Sequence, residues 1–125
     1  MAFRTSRERF EQLVEQALEA LPRKFKKHLT NITIIVEDYP TQENTRNIGA
    51  GQGYLLGLFR GVAHPSRGGF FDIPHPLPDE IIVFQKNIER ICSTEKDLVE
   101  EIRKTLIHEI GHYFGFSEDE LRRYE

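Results

Sequence analysis

The chain has 125 residues, 38% hydrophobic and 30% charged, with a net charge of −3, a balance that suits one compact domain spanning 1–125 with a modest core. So weak a charge gives no field for gripping nucleic acid, and no apolar run approaches the ~20 residues of a membrane span. A single cysteine, Cys92, excludes an internal disulfide, and MAFRTSRERF lacks the apolar stretch of a signal peptide, so a cytoplasmic setting is expected.

Phe10, Leu13, Val14, Ala17, Leu18 and Leu21 recur at spacings of three and four, which predicts an amphipathic helix over 6–21. Thr5 or Ser6 can cap it, and Pro22 marks its end. The basic cluster Arg23, Lys24, Lys26 and Lys27 reads as a solvated stretch after that helix. Asn31 to Glu37 is rich in β-branched residues and reads as a strand stopped by Asp38-Tyr39-Pro40. Residues 41–53 are polar and glycine-rich, a loop. Tyr54 to Val62 reads as a second strand, 64–79 as an irregular connection punctuated by proline and glycine, and Glu80 to Phe84 as a third strand. Asn87 to Ile91 fits one helical turn. Cys92 follows Ile91 and is expected to pack inertly.

The last element carries the chemistry. Ser93 or Thr94 caps a helix that runs to Phe114 and stops at Gly115. Ser117 and Glu120 then fit a capping box opening a short second helix. On the long helix Leu98, Val99, Ile102, Leu106, Ile107, Ile110, Tyr113 and Phe114 project as one apolar face. Thr105, Glu101, His108 and His112 fall nearly opposite. His108-Glu109-Ile110-Gly111-His112 sets two imidazoles one turn apart, able to reach one Zn²⁺ ion, with Glu109 beside the metal without ligating it. With 5 His in the chain, such a motif arises by chance roughly 0.02 times per chain of this composition, so it is weighed as a site. Gly115 can turn the backbone so that Glu118, or its neighbour Asp119, supplies a third, acidic ligand.

His108-Glu109-x-x-His112-x-x-Gly115-x-x-Glu118 resembles the extended zincin signature in its metzincin-like form with an acidic third ligand. The chain as a whole is similar to small bacterial metallopeptidase-like proteins of minimal zincin fold. The likeness takes in Leu21-Pro22, Glu37-Asp38-x-Pro40, Leu55-Leu56-Gly57-Leu58-Phe59-x-Gly61 and Leu77-Pro78-Asp79-x-Ile81 as well as the terminal HEIGHYFGFSEDEL. It implies an α/β fold, a small mixed sheet of three or four strands backed by the N-terminal helix and the long metal helix. It further implies a zinc-dependent metallopeptidase acting on a peptide or protein, with His108, His112 and Glu118 as ligands and Glu109 as general base and acid to the metal-activated water. Zincins hold extended substrates along a sheet edge, for which Tyr54 to Arg60 is the candidate. That family usually has aspartate at the position of Glu118. The only methionine is Met1, so the methionine turn of true metzincins is absent. A catalytically weak or inert zinc-binding regulatory domain is therefore the alternative. His28, His64, His75, Tyr54 and Tyr124 could each stabilise an oxyanion, but nothing in their spacing selects one.

Overall fold

A computed structural model describes residues 4–45, 55–61 and 78–124. Helix α1 spans Arg7–Glu19, α2 spans Arg23–Lys26 and a 3₁₀ turn spans Lys27–Asn31. They are followed by β1 (Ile32–Glu37), α3 (Gln42–Thr45), β2 (Gly57–Arg60), β3 (Asp79–Phe84), α4 (Gln85–Arg90), α5 (Glu95–Tyr113) and α6 (Glu118–Arg122).

The N-terminal cap is Ser6, whose Oγ accepts from the Arg9 N–H at 3.0 Å. Thr5 is occupied elsewhere, donating its N–H and its hydroxyl to the buried carboxylate of Glu89 at 2.9 and 2.8 Å. The basic cluster is solvated as expected, yet it is also wound into α2 and the 3₁₀ turn, because Phe25 on the same segment is completely buried. Within the predicted 41–53 loop, Thr41 and Asn44 exchange side-chain and backbone hydrogen bonds and close the single turn of α3. The rest of that loop, the ends of the predicted 54–62 strand and the connection 62–77 lie outside the described residues. Strand β3 begins one residue earlier than the β-branched run suggested, at Asp79. Helix α4 follows it without a loop, starting at Gln85 rather than Asn87.

The sheet order is β1-β3-β2, with β1 parallel and β2 antiparallel to β3. As the central strand, β3 buries Ile81 to Phe84 completely, which is why it reads as a continuous apolar run rather than an alternation. Phe10, Leu13, Val14 and Ala17 of α1 close the core against Leu98, Ile102, Leu106, Ile107 and Ile110 of α5. A paired hydrogen bond from Arg9 to Glu95, at 2.9 and 2.7 Å, ties the two helices at their exposed rim. Cys92 sits in this core with its thiol pKa pushed up to about 11, by burial first and then by Glu101, Asp97 and Glu89. It is inert packing, as expected. No helix among the described residues is long and apolar enough to cross a membrane.

Candidate metal centre

Helix α5 is capped by Thr94, whose hydroxyl accepts from Asp97 N–H at 3.1 Å, and runs for 19 residues. Its two main packing partners are α1 and β2. One stripe enters the core with α1. A second stripe, Thr105, Glu109 and Tyr113, four residues apart, lies along β2. Thr105 is therefore buried beside Gly57 and not on the solvent side with the histidines. A Cβ on Gly57 would collide with Thr105 Cγ2 and come within 3.3 Å of the Ile82 carbonyl. Glycine permits this close approach of helix and strand. The apolar face also ends sooner than helical projection implies. Tyr113 and Phe114 are 40% and 38% exposed, because Tyr113 stacks on Phe59 of the edge strand and Phe114 stacks on His28, each ring covered on one side.

Glu109 is the most constrained polar group of the second stripe. Its Oε1 accepts the Phe59 N–H at 2.8 Å. Its pKa is raised, chiefly by burial, against the lowering pull of that hydrogen bond and of His112 and His108. Among the described residues its other oxygen has no hydrogen-bond partner. A carboxylate fixed through one oxygen, with affinity for a proton above that of a solvated glutamate, suits general-base work.

His108 and His112 project from the remaining side of α5, ring centroids 5.7 Å apart. The third donor arrives through the end of the helix. The Phe116 N–H reaches the Gly111 carbonyl at 2.8 Å and the Gly115 N–H reaches His112 O at 3.2 Å, with Gly115 at φ +84°. This is a Schellman closure that a left-handed glycine allows. Ser117 then starts α6 with the predicted capping box, complete in both directions. Leu121, fully buried, holds α6 against α5 by filling the space over Gly111, where a Cβ would overlap its side chain. Glu118 thereby brings Oε1 to 2.9 Å from His112 Nε2. Asp119, the other acidic candidate, turns away to Arg122 at 3.4 Å and is 84% exposed.

One ligand atom each from His108, His112 and Glu118 lies within 4.8 Å of the other two. Donors around a tetrahedral zinc stand about 3.4 Å apart, given bonds of roughly 2.0–2.1 Å, so two imidazoles and a carboxylate at this spacing fit such an ion with small side-chain adjustments. Beside the triad opens a cleft of about 480 Å³, lined by Leu55, Leu56, Gly57, Lys104, His108 and Glu109 among others.

Three contributors escaped the sequence reading. These are the Phe59 N–H that holds Glu109, Gly111 as the seat of Leu121, and Tyr113, which stacks on Phe59 and donates to Asp79 Oδ2 at 3.3 Å. The four-residue spacing of Thr105, Glu109 and Tyr113 was the available signal for the second packing stripe. Of the five oxyanion candidates, His28 stacks on Phe114 at 3.9 Å with its pKa lowered by burial and by Lys27. Tyr124 packs edge-on to Phe25, and Tyr54, His64 and His75 lie outside the described residues.

No functionally curated protein matches the sequence. Among solved structures the fold is similar to that of a conserved hypothetical protein from Thermo thermophilus. The match has a TM-score of 0.57 at 23% identity and covers 87% of this chain and 94% of the other. A family model described as zincin-like metallopeptidase matches residues 29–125, the stretch that contains the sheet, the histidine pair and Glu118. The chain belongs to the zincin-like metallopeptidase family.

Proposed function

We propose that the protein is a small zinc-dependent peptidase, with His108, His112 and Glu118 as metal ligands and Glu109 as general base. The observation that carries this reading is the hydrogen bond from the Phe59 N–H to Glu109, which joins the carboxylate to the sheet edge beside the histidine pair. A structural zinc site has no use for a second, partly buried carboxylate that is held by a backbone amide beside the ligand group. A bound zinc would supply Lewis acidity toward water and toward a scissile carbonyl. Glu109 accepts the proton of the attacking water on its unbonded oxygen and returns it to the leaving amine.

The strand edge supports a peptide substrate. Phe84 N–H donates to Leu56 O, so alternation turns Gly57 and Phe59 away from β3, toward the free edge. Leu55 O is taken by Asn87 and Phe59 N–H by Glu109. Among the described residues Gly57 N–H, Gly57 O and Phe59 O remain to pair with an extended peptide running over the proposed metal ligands. The side chains of His112 and Glu118 are 50% and 54% exposed, which favours slow turnover over efficient hydrolysis and keeps the weak or inert zinc-binding domain as the second reading. Turnover of a diverse peptide library by the wild type and by Glu109→Gln, both loaded with equimolar zinc, separates them. Cleavage by the wild type alone is expected, cleavage that survives the substitution removes the general-base role, and cleavage by neither supports the binding domain.

A further inference from the structure

The opposite edge of the sheet has a chemistry of its own. In the parallel register of Ile34 with Ile81 and Val36 with Val83, the backbone groups of Thr33, Ile35 and Glu37 face β3. Those of Ile32, Ile34 and Val36 therefore face outward. The observed bond from Arg7 Nη1 to Val36 O at 3.0 Å agrees with that assignment. The Ile32 N–H closes the preceding 3₁₀ turn onto Leu29 O, and among the described residues Ile32 O, both Ile34 groups and the Val36 N–H make no hydrogen bond. An open strand edge of this kind is a template for a further strand.

Beside it, between β1 and α1, runs an open groove of about 390 Å³ whose floor is Val14, Leu18, Ile34 and Val36 and whose rim carries Glu8, Glu11 and Glu15. All three glutamates are exposed and have no ion-pair partner among the described residues, whereas the neighbouring Arg7 and Arg9 are bound to Asp38 and Glu95. An apolar floor under an acidic rim complements one kind of side chain in particular. The aliphatic stem of lysine or arginine lies along the floor and its charged head reaches the carboxylates.

We propose that β1 and the groove form a docking surface for an extended segment of a partner protein that carries lysine or arginine at every second position. The segment adds to the sheet as a fourth strand. Its backbone pairs with Ile32 O, Ile34 and the Val36 N–H, and its cationic side chains, all on one face, enter the groove. A second copy of this chain is the poorer occupant, since pairing β1 with β1 would bring two sets of three glutamates together. This surface is independent of the metal centre, which sits against β2.

The test uses the full chain, ¹⁵N-labelled, titrated with a short peptide alternating Lys and Thr, with its Glu-Thr counterpart, and with the Lys-Thr peptide N-methylated at alternate amides. The Lys-Thr peptide is expected to move the amide resonances of Ile34 and Val36. Its affinity should fall at least about tenfold between ~50 and ~500 mM salt, and as much in Glu11→Lys/Glu15→Lys, whose substitutions lie on the exposed side of α1. The Glu-Thr and N-methylated peptides should not bind. The proposal is overturned if the Lys-Thr peptide fails to bind, if it leaves the Ile34 and Val36 amides unmoved, or if the N-methylated form binds equally. It is also overturned if the contact maps to β2, or if β1 proves to be paired with β1 of a second copy.

Discussion

Replacing Gly111 with alanine should perturb the candidate metal centre without touching a proposed ligand. The new methyl would overlap Leu121, with Leu121 Cγ and Cδ1 at 3.1 Å. Because Leu121 is fully buried, it cannot swing into solvent, and α6 must move instead. Two effects on stability oppose each other. Alanine gains about 0.8–1.0 kcal/mol of helix propensity over glycine, while overpacking a core contact costs about 1–3 kcal/mol. The net loss is then about 0–2 kcal/mol, and the protein stays folded. Metal binding has no such compensation. Glu118 rides on α6, and its 2.9 Å approach to His112 depends on the seat that Leu121 occupies. Supporting residues around metal ligands typically influence affinity by about 10–100-fold, equivalent to roughly 1.4–2.7 kcal/mol. Zinc affinity measured by competition with a chromogenic chelator should fall by that factor. The stabilisation that a fixed zinc concentration gives in thermal melts should shrink by the same free energy. Zinc affinity equal to the wild type in a folded Gly111→Ala protein would refute the claim that Leu121 positions the third ligand.

Three further predictions follow from the same contacts. Glu118→Gln should weaken zinc binding by at least about tenfold, while Asp119→Asn, altering a residue that among the described residues pairs only with Arg122, should leave it unchanged in the same chelator assay. Gly57→Ala should destabilise the protein by about 1–3 kcal/mol in urea unfolding through its collision with Thr105 Cγ2. Adding Thr105→Ser, which removes that methyl, should recover part of the loss as a favourable coupling energy. The third concerns Glu89, whose burial would raise its pKa. Hydrogen bonds from Gln85 and Thr5, with Lys86 nearby, outweigh burial and hold the pKa below the ordinary glutamate value. A depressed carboxylate pKa contributes stability above the unfolded-state value of about 4.3 and loses it as pH falls through the folded-state value. The stability difference between wild type and Glu89→Gln should therefore be largest near neutral pH and close progressively below about pH 4, and a gap constant down to acid pH would show that the charge is not its source.

What could be read in the residues was what depends on local spacing. The histidine pair, the stop at Gly115 and the capping box of Ser117 and Glu120 all lie within one or two turns of each other, and each appears where the pattern put it. Helical projection failed at Thr105, Tyr113 and Phe114 because it assumes one buried face, and α5 has two. Strand order was beyond reach for a related reason. Ile32–Glu37 and Asp79–Phe84 are both β-branched runs, and only the pairing of the second with both β1 and β2, each distant in the chain, makes it central. Phe25 was hidden among lysines, where its single aromatic ring could not announce a helical turn. Glu118 was separated from Asp119 only by the direction each side chain takes from the first turn of α6.

The three stripes of α5 explain why the candidate metal centre can be so small. Successive helix residues differ in direction by about 100°, so His108 and Glu109 on neighbouring positions face the open site and the strand edge, while Ile110 on the next position enters the core. One helical turn thus supplies two candidate metal donors, the proposed base and the packing that fixes them, provided that other elements can come close enough to complete the set. Glycine supplies that closeness at each join. Gly57 lets β2 approach Thr105 so that Phe59 N–H meets Glu109, Gly115 reverses the chain at φ +84°, and Gly111 leaves the space into which Leu121 fits to draw α6 back. None of the three has a side chain that could do chemistry, yet a methyl group on Gly57 or Gly111, or the loss of the left-handed turn at Gly115, would separate donors that the histidine motif alone does not hold together.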